Sequence, residues 1–330
     1  MSPVDPDRAA ELLGAAGGVR VLVVGDLMLD RYVTGVVDRV SPEAPVPVVR
    51  VQAERFGVGG AANVAANVTA LGASCQLVGH LGADPEGDRV IRALEEAGVG
   101  CEGIVRGSGR PTTVKTRVLA RHQQIVRFDR EVDCEVQGAV ADEIARRVGE
   151  LAPQCDIVVV QDYDKGVLSE SVRDLVTGLT SATGMAWVVD PKRRSFFSYR
   201  GATVFKPNAR ELADALGEDV RIDDPVWLED VRRRIGCEHL LVTLGDDGMA
   251  LKSATGQHVR LPTLAQSVFD VSGAGDTVTA VVTTALAAGG EIVEAAALAN
   301  HAAAVGVGKS GVQTVSATEI QAHVAAHPDW

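Results

Sequence analysis

The sequence predicts an α/β protein built on a doubly wound, mainly parallel sheet, with a small antiparallel β lid. Three observations carry this. Short β-branched apolar runs recur, each ending in a polar residue or a turn. Runs that are apolar at nearly every residue suit strands buried on both faces. Alanine-rich helical stretches lie between them, and alternation of the two kinds argues for parallel strands covered by helices. Finally, hydrophobic residues make up 46% of the 330-residue chain but aromatics only 4%. The core must therefore be built from Val, Leu, Ile and Ala, which suits such a sheet.

Taken in order, the first strand is "RVLVVGD", ending at Asp26. Residues 31–52 break the pattern, being rich in Val and Pro. Prolines 42, 45 and 47 belong at a sheet edge, because proline cannot donate to a ladder. The helix "GAANVAANVTALG" follows, then the strand "CQLVGH" ending at His80 and the helix "EGDRVIRALEEAG". Residues 112–129 alternate apolar and polar, with Ile125, Val126 and Phe128 placed after a turn at His122 and Gln123. Both irregular regions read as antiparallel strands exposed on one face, forming the lid. The helix "GAVADEIARRVGELA" leads to the strand "CDIVVVQD", ending at Asp162. Then come the helix "SVRDLVTGLTSATG" and the strands "MAWVVDPK", "ATVFKPN" and "HLLVTLGDDG", ending at Asp190, Asn208 and Gly245. Ligands of doubly wound sheets bind beyond the carboxyl ends of the strands, so these polar residues should gather along one edge. One domain spanning 1–330 is expected, with no repeats and no low-complexity linker.

A net charge of −12 argues against a nucleic-acid backbone or an anionic membrane as partner, since both need a basic surface. A small anion held by a few local cations is compatible with it. Five scattered cysteines without C-x-x-C spacing read as reduced thiols of a cytoplasmic protein. The N-terminus lacks the basic start and apolar run of a secretory signal. The weakly polar run near 278–290 is too short to span a bilayer.

Two glycine-rich segments compete as phosphate sites. "GVGKS", residues 306–310, resembles half of a Walker loop, but position 303 is Ala303 and the segment follows a helical stretch. A Walker loop must follow a buried strand and open a helix. No G-x-G-x-x-G follows the first strand, which disfavours dinucleotide binding. "FDVSGAGDT", residues 269–277, has better context, because "TVTAVVTTALAAGG" can continue it as a helix starting near Gly273. The amides of Gly273, Ala274 and Gly275 would then be unpaired donors at the positive end of a helix dipole. That is an anion site without a lysine. Asp276, in the first turn, is either a plain dipole partner or a base that takes a proton from an attacking hydroxyl. Asp270 either steadies the loop or touches a metal's water shell.

Over nearly its whole length the chain resembles the ribokinase-like, or PfkB, carbohydrate kinases. Three motifs carry the likeness: D-x-x-G-A-G-D at Asp270–Asp276, G-G-x-x-x-N at Gly59, Gly60 and Asn63, and N-x-x-E at Asn208–Glu211. Within that family "VVGDLMLDRYVTG", "RVSPEAPVPVV", "PTTVKTRVLARHQQIVRFDRE" and "VFDVSGAGDTV" look most like the kinases of D-glycero-D-manno-heptose 7-phosphate. Some relatives carry a fused nucleotidyltransferase domain; with the chain stopping at Trp330, none is expected here. The sequence departs from the pattern at Asp164, where "DYGKG" reads "DYDKG", at His122 in the lid turn, and at Arg193 and Arg194.

The resemblance implies transfer of the ATP γ-phosphoryl to the anomeric hydroxyl of the sugar phosphate. Asp276 would be the base, and the amides of Gly273, Ala274 and Gly275 would hold the phosphoryl oxygens. Asn208 and Glu211 would order Mg²⁺ through water, and a monovalent cation near the nucleotide is in keeping with the family. Lys192, Thr243, Gly245 and Asn300 would contact the nucleotide. Asp26, Asp30, Gly59, Gly60, Asn63 and Asp162 would face the sugar. Lys115 and Arg117, two apart on one strand face, are candidates for its phosphate, with Arg121, Lys165 and Lys192. The lid would exclude water when closed and pair with a second copy in a homodimer. Three readings stay open: a kinase of another sugar or nucleoside, a non-catalytic sensor, and an oxidoreductase on a doubly wound fold.

Overall fold

The computed structural model describes residues 4–120, 123–265 and 267–327. After α1 (Pro6–Ala15) the chain enters the main sheet through β1 (Arg20–Gly25) and leaves it as a hairpin, β2 (Leu27–Val40) and β3 (Pro47–Gly60). It returns through α2 (Ala61–Ala70), β4 (Ser74–Gly82), α3 (Pro85–Glu96) and β5 (Ile104–Gly107). A second pair, β6 (Thr113–Ala120) and β7 (Gln123–Arg130), precedes α4 (Ala139–Leu151), β8 (Ile157–Gln161), α5 (Glu170–Thr183) and β9 (Trp187–Asp190). Then come β10 (Val204–Phe205), α6 (Ala209–Leu216), α7 (Pro225–Ile235), β11 (His239–Thr243), β12 (Met249–Ser253) and β13 (His258–Leu261). The helices α8 (Ala274–Ala287), α9 (Ile292–Val307) and α10 (Ala317–Ala326) follow.

Among the described residues the main sheet has nine strands in the order β13-β12-β11-β10-β9-β8-β1-β4-β5. It is parallel except that β12 runs antiparallel to both neighbours. The apolar runs alternate between two cores. Val21 and Val23 face one, with α2, α8 and α9, while Leu22 and Val24 face the other, with α4, α5 and α7. Each fully buried Val or Leu contributes roughly 1.5–3 kcal/mol, and both cores consume the same strands. This is why the strands read as continuously apolar. Local signals agree with the helix starts. Asp5, Asp84 and Asp224 each precede a proline and accept from a backbone amide of the first turn. Aspartate satisfies an orphan amide, and proline has none to lose.

The winding places the site. From β1 the sheet grows through β4 and β5; from β8 it grows the other way through β9, β10 and β11. The reversal between β1 and β8 opens a crevice at their carboxyl ends.

The small sheet has the order β3-β2-β6-β7. Each hairpin partner pair is antiparallel, but the inner strands β2 and β6 run parallel, so the expectation of a purely antiparallel arrangement fails there. The chain visits the main sheet between the two pairs, so β6 arrives in the same direction as β2. The strands also outrun 31–52 and 112–129, because β2 begins as soon as β1 ends. Pro47 opens edge strand β3, while Pro42 and Pro45 lie in the connection before it. Gln123 is the first residue of β7 rather than part of a turn; His122 lies outside the described residues. His80 sits within β4, two residues short of its end.

Candidate active site

At the switch point Gly25 pairs with Gln161. An added Cβ at Gly25 would strike the Gln161 carbonyl, so glycine lets the two strand ends close up. The Gln161 amide donates to Asp190 Oδ2 at 2.9 Å and to Asp276 Oδ1 at 3.1 Å. Asp190 ends β9 and pairs with Lys206 at 2.9 Å, both side chains buried. Burial alone would raise the Asp190 carboxyl, but Lys206 and Lys192 hold it below its ordinary value.

Asp276 is 3% exposed, in the first turn of α8. It accepts from Asn63 Nδ2 at 2.8 Å and from the Tyr163 hydroxyl at 2.7 Å, besides Gln161. Burial pushes it up to about 6, against the pull of the Asn63 and Tyr163 donors; Asp190 adds to the rise and Lys206 opposes it. Gly273 caps α8 at φ +82°, and a Cβ there would stand 2.7 Å from Asn63 Nδ2. The cap therefore needs glycine twice, for its left-handed backbone and for room beside the side chain that holds Asp276. One expectation changes here: the Ala274 amide is not free but donates to Val271 O at 3.3 Å, because the chain turns as it enters the helix. Among the described residues no acceptor meets the amides of Gly273, Gly275 or Asp276.

Two cavities meet at this helix end. The larger, about 280 Å³, is lined by Ala274 and Gly275 together with Asn208, Thr243, Gly245 and Asn300. The smaller, about 100 Å³, is lined by Gly273 and Asp276 together with Asp30, Lys115, Arg117 and Tyr163. The α8 N-terminus is their common wall.

The remaining expected residues fall into distinct situations. Asp26 lies beneath the crevice, its carboxylate accepting the amides of Tyr163, Lys165 and Val167 at 2.8–3.0 Å. It shapes the 162–167 loop and does not line the smaller cavity. Asp162 likewise accepts from Asp164 N and the Tyr199 hydroxyl, and burial with Asp26 nearby pushes it up to about 7. Asp30 is ion-paired with Arg117. Gly59 and Gly60 leave room for the Asp30 side chain and the Asp26 carbonyl, respectively. Lys165 pairs with Glu131 and Lys192 with Glu211, so neither is an uncommitted cation. Lys115 lies over the Tyr163 ring at 5.0 Å, with burial lowering its pKa. Arg194 pairs with Asp133, and Arg193 is exposed. Arg121 lies outside the described residues. Asp270 Oδ1 accepts the Ser272 amide, which places it as a loop brace.

Asn208 and Glu211 form a reciprocal cap at the start of α6, with bonds of 2.8 and 2.9 Å. Among the described residues no cluster of three or more His, Cys, Asp or Glu is arranged to hold a metal. A caged ion does not fit, but a magnesium ion carried mainly by phosphate oxygens and water fits a single fixed carboxylate such as Glu211.

Sequence reasoning missed Tyr163, Gln161 and Lys206. Lys206 left a signal, since a lysine inside "TVFKPN" must be paired if buried. Tyr163 left none, because its role depends on a helix more than a hundred residues away. The "GVGKS" segment begins in the last residues of α9, at the carbonyl end of a helix, where an anion is disfavoured. Among the described residues no helix is long and apolar enough to cross a membrane.

The description "pfkB family carbohydrate kinase" matches residues 19–319. Curated relatives include the "Bifunctional protein HldE" of Desulfatibacillum aliphaticivorans, 44% identical over 94% of this chain and 64% of its own length. The protein of the same name from Paramagnetospirillum magneticum is 44% identical over 92% of this chain and 62% of its own length. The chain thus spans less than two thirds of these relatives. Among solved structures, Arabidopsis thaliana ribokinase complexed with ribose and ATP superposes with a TM-score of 0.74 at 21% identity, covering 93% of this chain and 98% of the other. Phosphofructokinase-2 from Escherichia coli in complex with potassium gives 0.77 at 20% identity, covering 93% and 99%.

Proposed function

The chain belongs to the pfkB family of carbohydrate kinases, phosphotransferases that act on sugar hydroxyls, and on that premise we propose that it uses ATP to phosphorylate the anomeric hydroxyl of D-glycero-D-manno-heptose 7-phosphate. The product is the 1,7-bisphosphate. One observation carries the reading: the α8 N-terminus divides two cavities, with Asp276 on the smaller side and Gly275 on the larger. A sugar hydroxyl and a terminal phosphoryl group would meet across that wall.

Phosphoryl transfer asks for positioning and charge stabilisation more than covalent chemistry. Asp276 receives the hydroxyl proton as the oxygen attacks. With its carboxyl near 6 it is charged at neutral pH yet basic enough to share the proton. The amides of Gly273 and Gly275 stabilise charge on the transferring group; losing one such donor commonly costs ~10²–10³ in rate. Bound magnesium would neutralise phosphate charge, and Asn208 and Glu211 would hold it through water. Thr243, Gly245 and Asn300 line the nucleotide side. A monovalent cation beside the nucleotide belongs to the same reading.

The sugar 7-phosphate is supported by the likeness of the lid segments to heptose 7-phosphate kinases and by the name shared by the curated relatives. Lys115 on the smaller cavity supplies positive charge in a chain of net charge −12, with Arg117 beside it paired to Asp30. The small sheet acts as lid and dimer surface, and the setting is cytoplasmic. An ADP-release screen over heptose 7-phosphate, free heptose, ribose and fructose 6-phosphate tests the substrate. The expected preference for the 7-phosphate is at least about 10²-fold in kcat/KM. Equal use of free heptose sinks the phosphate reading, and preference for another sugar moves the chain elsewhere in its family.

A further inference from the structure

We infer that Tyr163 is the positioning residue for Asp276 and couples the two substrate cavities, its hydroxyl fixing the carboxylate while its ring seats the ammonium groups of Lys115 and Lys192. This rests on reading Asp276 as the base. The hydroxyl donates to Asp276 Oδ1 at 2.7 Å, and the ring lies 5.0 Å from Lys115 Nζ and 4.8 Å from Lys192 Nζ. Lys115 lines the smaller cavity, and Lys192 is ion-paired to Glu211, whose carboxylate accepts the amide of Asn208 on the larger cavity. One side chain thus meets the base, a cation of the smaller cavity and a cation tied through Glu211 to the Asn208 wall of the larger one.

The geometry is built, not incidental. Asp26 spends its buried carboxylate on the amides of Tyr163, Lys165 and Val167, so the loop is pinned at the ring's own residue and at two positions after it. Burial and the nearby Asp276 charge keep the phenol protonated well above its ordinary range. It is therefore a permanent donor and cannot itself serve as the base. A hydrogen bond donated to a carboxylate favours the charged form. Tyr163 thereby offsets part of the rise that burial imposes on Asp276. The other charged groups acting on that carboxylate are Asp190, Lys206 and Lys192. A cation over an aromatic face is attracted to its ring quadrupole, so the ring helps hold both ammonium groups beside Asp276.

The substitution Tyr163→Phe keeps the ring and removes only the donor. Turnover should fall roughly tenfold, and the acid limb of the kcat/KM–pH profile should move up by about one pH unit. KM for ATP and sugar should stay within about twofold, since the ring platform is intact. Tyr163→Leu removes the platform as well and should raise both KM values. An unmoved acid limb in Tyr163→Phe overturns the positioning role, because a merely structural contact would lower activity without moving the limb. Equal KM values in the Phe and Leu variants overturn the coupling. Asp276→Asn run in parallel separates the two failures: near-normal turnover there removes the base itself. An inactive Asp276→Asn beside an unmoved limb in Tyr163→Phe removes only the inference about Tyr163.

Discussion

At the residue scale, Asp276 is poised by competing effects that can be read as pH dependence. Burial raises its carboxyl to about 6, and as the proposed base it acts deprotonated. Activity should therefore be full above that value and fall as pH drops through about 6, visible in kcat/KM for the free enzyme. Asp276→Asn should lower turnover by about 10²–10⁴ while ATP binding, followed by calorimetry, changes little. A different prediction concerns Asp164, which occupies φ +55° where related sequences are expected to have glycine. A left-handed non-glycine residue costs ~1–2 kcal/mol, less for aspartate, and glycine gives part of that back as unfolded-state entropy. Asp164→Gly should stabilise the protein by roughly 0.5 kcal/mol in urea unfolding. The acids of "FDVSGAGDT" were legible as a pair, with Asp276 a candidate base and Asp270 open between two roles. The turn that consumes the Ala274 amide and the brace made by Asp270 both follow from how the loop folds back on itself.

At the element scale, the α8 N-terminus and α2 act as one unit, because Asn63 of α2 holds Asp276 of α8. Gly273→Ala would place a Cβ at 2.7 Å from the Asn63 amide on a left-handed backbone. The expected result is a loss of about 1–2 kcal/mol in stability together with about a 10²-fold fall in kcat. Steady-state kinetics and denaturation on the same preparation check both. Normal kinetics would show that Asn63 can move without cost to the base. The helix itself was legible from its alanines and the glycines near its end, despite many β-branched residues. Its β-branched and threonine side chains are tolerated because residues 276–285 are all buried, so packing overrides propensity. The parallel pairing of β2 with β6 was not legible, since nothing in either strand records the path taken between them.

At the scale of the whole molecule, the four-stranded sheet leaves Val51, Phe56, Val126 and Phe128 exposed, with Phe128 at 56%. Its outer strands are β3 and β7, and unpaired edges are templates for another strand. Self-association through this sheet should appear as a dimer by light scattering, and Val126→Asp with Phe128→Asp should shift it to monomer. A dimer unchanged by that double variant would place the interface elsewhere. The sequence by itself determined the α/β class, the position of most parallel strands and the glycine–aspartate turn, because those follow from local periodicity, capping and backbone freedom. Only the tertiary structure decided which polar residues share the site. Asp26 and Asp162 are drawn into supporting the 162–167 loop, Lys165 and Lys192 into ion pairs, while Tyr163 and Gln161 reach Asp276. The physical reason is the reversal of winding between β1 and β8. It brings segments far apart in sequence to one crevice, where burial and hydrogen-bond satisfaction assign each polar group its partner.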